Sequence, residues 1–252
     1  MKRLILLLAC VLPVLAWGQY LGGGLAAKGA AAIPAVVGSE PTPTYFINQN
    51  FEGVGYDNSE SWTENPEASG IIDEDYTDIV LAGSQSCYLS NTAYGLYIKS
   101  PTFSDTNICF LHLMVRAGKL PAGGSEIFLC NLLYGNNSRC QLRVLANGTL
   151  RMIGNVSGTV TTAGAMSVGT TYHVWASVST ASTPESVTVG FSTDGTRPTS
   201  GDTYASGTVE ITDGTALNNI RLGNMGGGAA PNAPWCVIDR VLVAGSQIGD
   251  NP

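Results

Sequence analysis

The chain has 252 residues, 12% of them charged, with 12 Lys and Arg against 19 Asp and Glu and a formal net charge of −7. So few cations cannot neutralise phosphates in number, which excludes nucleic acid as a partner class. Low charge combined with 31 glycines also argues against helical bundles and for a β-rich extracellular protein.

The chain opens on Met1-Lys2-Arg3, continues with an apolar run over 4–17 and reaches Gly18-Gln19. A basic start, an apolar core and small residues at Ala16 and Gly18 are the three parts of a secretory signal peptide, with the cut after Gly18. The run is shorter than a membrane span and carries Pro13, so no transmembrane anchor is expected once the leader is removed. Leu7-Leu8-Ala9-Cys10 has lipobox-like character, but a cut there would leave an unusually short apolar core. The expected localisation is secreted or cell-surface. Residues 19–44 read as a flexible linker, carrying Gly22-Gly23-Gly24, Ala30-Ala31-Ala32, Pro34, Pro41 and Pro43.

Residues 45–252 form the expected folded domain. Runs rich in β-branched and aromatic residues recur at 45–51, 86–90, 107–115, 126–134, 139–145, 149–153, 171–179, 186–192, 208–211, 219–222 and 235–243. Turn signals such as Asn147-Gly148 and Asp194-Gly195 punctuate them. The pattern predicts an all-β, antiparallel two-sheet β-sandwich.

Between Glu40 and Asp78 stand ten acids and no Lys or Arg, with Tyr56, Trp62 and Tyr76 among them. Two readings are open for this segment. Acids coordinating Ca²⁺ beside rings that stack on sugars would make a glycan site, with Tyr56, Trp62 and Tyr76 as ligand-binding residues. Alternatively the segment is a solvated loop, and residues 73–78 in particular read as one.

Cys10 would leave with the leader, so Cys87, Cys109, Cys130, Cys140 and Cys236 remain. Their number is odd and no Cys-x-x-Cys occurs, leaving buried thiols and disulfides as alternatives. A turn centred on Asn136-Asn137 pairs Cys130 with Arg143 and Cys140 with Leu133, on opposite faces of the hairpin. His112 and His173 each sit inside a strand run, where a structural role is expected. No Gly-x-Ser-x-Gly, His-Glu-x-x-His or Glu-x-Asp-x-x-Glu pattern occurs, so no catalytic residue is assigned and an enzyme is not expected. Sequons begin at Asn136, Asn147 and Asn155 and would matter only in a eukaryotic secretory host.

The order of motifs is Phe51-Glu52-Gly53, Trp62, 83–90 (Gly-Ser-Gln-Ser-Cys-Tyr-Leu-Ser), Ser100-Pro101-Thr102-Phe103, 171–175 (Thr-Tyr-His-Val-Trp) and 238–243 (Ile-Asp-Arg-Val-Leu-Val). It resembles the concanavalin A-like, laminin-G-like jelly rolls of bacterial and viral surface proteins, over nearly all of 45–245. The resemblance implies a jelly roll whose first and last strands lie side by side, bringing Glu52 near Asp239. In related carbohydrate-binding modules such paired acids hold a structural calcium, which makes Glu52 and Asp239 candidate metal ligands. Arg240 stands where the second Asp of that motif would be, so a Glu52–Arg240 ion pair is the alternative. The resemblance further implies a secreted, non-catalytic, lectin-like β-sandwich whose partners are glycan or surface polysaccharide, or neighbouring surface proteins. A structural surface, fibre or adhesion component is the alternative, and a glycoside hydrolase-like enzyme a second one.

Overall fold

The computed structural model describes residues 43–53, 55–56, 62–65, 71–90, 96–121, 126–212, 216–223 and 235–252. The expected leader and all of the linker before residue 43 lie outside them. Among the described residues every regular element is a β-strand. In chain order these are β1 (Tyr45–Gln49), β2 (Thr63–Asn65), β3 (Ile71–Tyr76), β4 (Ser86–Ser90), β5 (Tyr97–Lys99), β6 (Ile108–Lys119), β7 (Glu126–Tyr134), β8 (Asn137–Leu145), β9 (Thr149–Gly154), β10 (Thr159–Ala165), β11 (Thr171–Ser179), β12 (Glu185–Ser192), β13 (Tyr204–Val209), β14 (Asn219–Leu222) and β15 (Trp235–Ala244).

Two antiparallel sheets pack into a β-sandwich. The first runs β13-β12-β11-β6-β15-β4-β3, with β1 also on β15; the second runs β10-β9-β8-β7-β14-β5-β2. The core between them follows from the two-residue period of a strand, which sends alternate side chains to one face. Cys109, Leu111, Leu113 and Val115 of β6 point inward, opposite Tyr172, Val174, Ala176 and Val178 of the adjacent β11. From the second sheet, Cys140, Leu142 and Val144 of β8 meet them in the same core.

The long closing strand β15 is divided by a bulge. Its register against β6 slips between Asp239 and Leu242, and Arg240 takes the left-handed φ of 45°, so one extra residue kinks the strand. Residues 235–238 pair with β4, and residues 241–244 pair with β1. First and last strands are therefore neighbours, as the jelly-roll resemblance implies.

Three local expectations change. Residues 73–76 are strand rather than loop, because β3 spans Ile71–Tyr76 and pairs with β4, and only Thr77 and Asp78 lie beyond it. Cys130 and Cys140 do not lie on opposite faces. The turn centres on Gly135-Asn136 rather than Asn136-Asn137, since Tyr134 pairs with Asn137, and the block between register slips at Phe128/Cys130 and Leu132/Leu133 sets Cys130 against Leu142 and Cys140 against Leu132, with both thiols buried in the core. All five described cysteines are buried and free.

On the outer face of the first sheet, the C-terminal residues cover one half. Ile248 is buried with Leu242 and Ala244, packed by Tyr45 and Phe110. The Asn251 amide donates to Gly195 O (2.9 Å), the Arg197 amide to Asp250 Oδ1 (2.7 Å), and Arg240 Nη1 to Pro252 O (2.9 Å). The other half, over β3, β4 and the start of β15, bears aromatic rings.

Candidate functional site

Strand β4 buries Cys87 and Leu89 and therefore presents Tyr88 on the outer face. Tyr76 at the end of β3 lies beside it, with ring centroids 4.8 Å apart and planes 33° apart. On the other side Tyr88 meets Trp235, at 5.6 Å and 42°. Three half-buried rings thus form a strip across β3, β4 and β15. Trp235 can lie flat because residue 118 of the neighbouring β6 is glycine: a Cβ there would overlap the indole ring.

The rim of the strip is polar. Asp73 is the cross-strand partner of Tyr88, Lys119 that of Trp235, and Ser90 pairs with both Ile71 and Trp235. Desolvation, then the charge of Asp78, raises the Tyr76 phenol above its ordinary pKa. It therefore stays a neutral donor and acceptor. Apolar ring faces with hydroxyl and carboxylate groups at their edges are a surface that can stack on a sugar face and hydrogen-bond its hydroxyls.

Of the three rings singled out in the sequence, only Tyr76 belongs to this strip. Tyr56 and Trp62 stack on each other (5.8 Å, 18°), and Trp62 is a core residue at 7% exposure. Tyr56 meets Phe51 edge-on, donates its hydroxyl to Glu64 Oε1 (2.9 Å), and is pushed up in pKa chiefly by burial. Trp62 is packed in the core, and Tyr56 is half-buried against it. Tyr88 and Trp235 were not singled out, although the alternation Ser86-Cys87-Tyr88-Leu89-Ser90 already sets Tyr88 opposite the apolar face.

Glu52 and Asp239 do converge, on the segment 82–86. Asp239 is fully buried. Its Oδ2 accepts from the Ala82 amide and from Ser86 Oγ (both 2.9 Å), and its Oδ1 accepts from the Arg240 amide (2.7 Å). Glu52 Oε1 accepts from the Ser84 amide (2.8 Å) and Oε2 from Ser84 Oγ (2.5 Å). Burial, reinforced by Glu52, pushes Asp239 up to about 6, whereas the Ser84 donors hold Glu52 down. A calcium ion needs six to eight oxygen ligands. Here the carboxylates face N–H and O–H donors instead, so this arrangement does not fit the ion. Among the described residues no group of three or more His, Cys, Asp or Glu converges as metal ligands do. Arg240 contributes its charge to Glu52 while its own Nη1 is on Pro252.

His112 and His173 share one contact, His112 Nε2 to His173 Nδ1 at 3.1 Å, so only one proton fits between them. Trp175 packs against both rings. Burial, then His173, lowers His112 to about 3; burial, then Arg240, lowers His173. A separate groove of about 380 Å³ is lined by Ser157, Gly158, Thr183, Pro184, Thr208, Val209 and Glu210, without an aromatic ring.

No protein-family model matches the chain, and no curated protein matches it. Solved structures share the fold. Cip1, a cellulose-induced protein, aligns with a TM-score of 0.58 at 9% identity, over 81% of this chain and 99% of its own. The receptor-binding domain of a mosaic C/D botulinum neurotoxin aligns at 0.55 and 12% identity, over 82% and 48%. A type C botulinum neurotoxin structure, described as showing that cell entry depends on two ganglioside molecules, aligns at 0.55 and 8%, again over 82% and 48%. The chain spans about half the length of these toxin domains. At such identities the shared property is the jelly-roll-like β-sandwich itself.

Proposed function

We propose that this protein is a secreted, non-catalytic, concanavalin A-like module that binds glycan outside the cell, with the Tyr76–Tyr88–Trp235 strip as its sugar-stacking surface. The observation that carries the reading is the adjacency of the three rings on an outer sheet face, where Gly118 makes room for Trp235. Aromatic rings left partly open on a sheet face lose hydrophobic stabilisation that a stacking ligand recovers. The names of the fold relatives run in the same direction, since one concerns gangliosides and another a protein induced by cellulose. The ring strip calls for the neutral face of a pyranose, with Asp73 and the Tyr76 hydroxyl reading its substituents.

The test is a glycan array with the wild-type protein, followed by titration of the best hit with Trp235→Ala and Tyr88→Ala. Each truncation should weaken binding about tenfold or more, the equivalent of about 1.4 kcal/mol, with the far-ultraviolet dichroism unchanged. No neutral glycan bound by the wild type, or equal affinity in both variants, overturns the assignment.

A further inference from the structure

The outer face of the second sheet has the opposite charge to the molecule as a whole. Arg221 of β14 is the registered cross-strand partner of Lys99 of β5, and Arg143 of β8 that of Arg151 of β9. Two like-charged pairs therefore stand directly opposite each other, an arrangement that destabilises a sheet. Between them, Asn131 and Gln141 continue the row from Arg221 across β7 and β8.

The two pairs are treated differently. Glu126 lies between Arg143 and Arg151 and forms an ion pair with each, and the Arg143 guanidinium also stacks 4.0 Å over the Phe128 ring. Lys99 and Arg221 have no such carboxylate among the described residues. Both donate to a single neutral oxygen, Asn136 Oδ1, from Nζ at 2.9 Å and from Nη2 at 3.3 Å. Arg221 stacks 4.6 Å over the Tyr97 ring, which fixes its plane. Burial, then Arg221, lowers the Lys99 ammonium below its usual pKa, as expected for a cation held beside another without a counter-charge.

We infer that the Lys99–Arg221 pair is a binding site for the carboxylate or sulfate groups of an acidic polysaccharide, with the anionic oxygen entering where Asn136 Oδ1 now accepts from both. Glu126 shows on the same face what satisfies such a pair: one carboxylate shared by two cations. A planar guanidinium clamped on a ring is preorganised for a carboxylate or sulfate. Asn131, next in the row, is buried and accepts from Ser138 Oγ, and the Gln141 amide donates to the same hydroxyl, so the open donors of the row are Lys99 and Arg221. A chain with repeated acids holds one or another of its anionic groups at this pair by rebinding, which a single small anion does not do. This site lies on the other sheet from the aromatic strip and does not depend on it.

The probes are polygalacturonate and dextran sulfate, with neutral dextran as control, titrated against the full protein at low and at high salt. Binding to both polyanions is expected, stronger than to dextran and weakening as salt rises. The double variant Lys99→Gln/Arg221→Gln should lose at least tenfold in affinity, and Arg143→Gln/Arg151→Gln should lose less. Unchanged affinity in the Lys99/Arg221 variant, equal binding to neutral dextran, or full competition by inorganic sulfate at equal charge concentration overturns the inference. So does a self-association in sedimentation that the Lys99/Arg221 variant abolishes and polygalacturonate leaves intact, because the occupant would then be the acidic segment of a second copy.

Discussion

Trp62 and Trp235 have the same side chain and opposite roles, and the difference lies in what each ring touches. Trp62 is stacked under Tyr56 and counted in the core, so Trp62→Ala opens a cavity. It should cost about 3–5 kcal/mol, read as a lower midpoint in urea. Trp235 lies over a glycine on an outer face, and its truncation should show in ligand binding far more than in stability. The buried histidine supplies a second residue-scale prediction. His112 is lowered to about 3 from an ordinary 6.5, so its contribution to stability is present above pH 6.5. It is lost as pH falls towards 3, at about 1.4 kcal/mol per pH unit. The groups facing the pair are Trp175, the Arg240 charge and, from the acidic side, Asp194. Asp239, raised to about 6, has the opposite sign: its contribution is full below 3.8 and lost as pH rises through 6. Calorimetry between pH 6.5 and 4 should show a flatter fall of Tm for His112→Leu than for the wild type; equal slopes would refute the assignment.

At the scale of elements, β3 and the β7–β8 hairpin show where pattern reading fails. Asp73, Glu74 and Asp75 have low strand propensity, and the segment is a strand because the edge of β4 offers it a ladder. In the hairpin, two bulges move both cysteines to the core face. A two-residue period identifies which residues share a face only while the register is unbroken, and no local signal marks these two slips. The consequence is chemical. Cys109, Cys140 and Cys236 are pushed up to about 12 by burial, and Cys87 and Cys130 are also raised. Thiols without thiolate character or access do not react. Iodoacetamide followed by mass spectrometry should therefore leave these five unlabelled in the native protein and modify all of them in guanidinium. Labelling of any one under native conditions would place it outside the core.

For the whole molecule, the decisive junction is where β1 and β4 share one side of β15. Asp239 and Glu52 tie residues 82–86 into that junction through four hydrogen bonds, and the Arg240 amide donates one more to Asp239. Since those donors occupy the carboxylates, excess chelator should leave Tm unchanged and millimolar calcium should not raise it. A rise that Glu52→Gln abolishes would show that an ion binds the native state after all. Against a net charge of −7, four cations, Lys99, Arg143, Arg151 and Arg221, gather on the outer face of the second sheet.

By itself the sequence determined that the chain is all-β and antiparallel, that its cysteines and histidines are strand residues, and that Glu52 and Asp239 meet through adjacent first and last strands. The first two follow from propensity and alternation, which act over a few residues; the third is what the jelly-roll resemblance implies. Only the tertiary structure decided which rings are open, what the two carboxylates accept, and that Lys99 and Arg221 stand opposite each other 122 positions apart in number. Cross-strand register and bulges set those outcomes, and they arise from packing two sheets against each other rather than from any local run of residues.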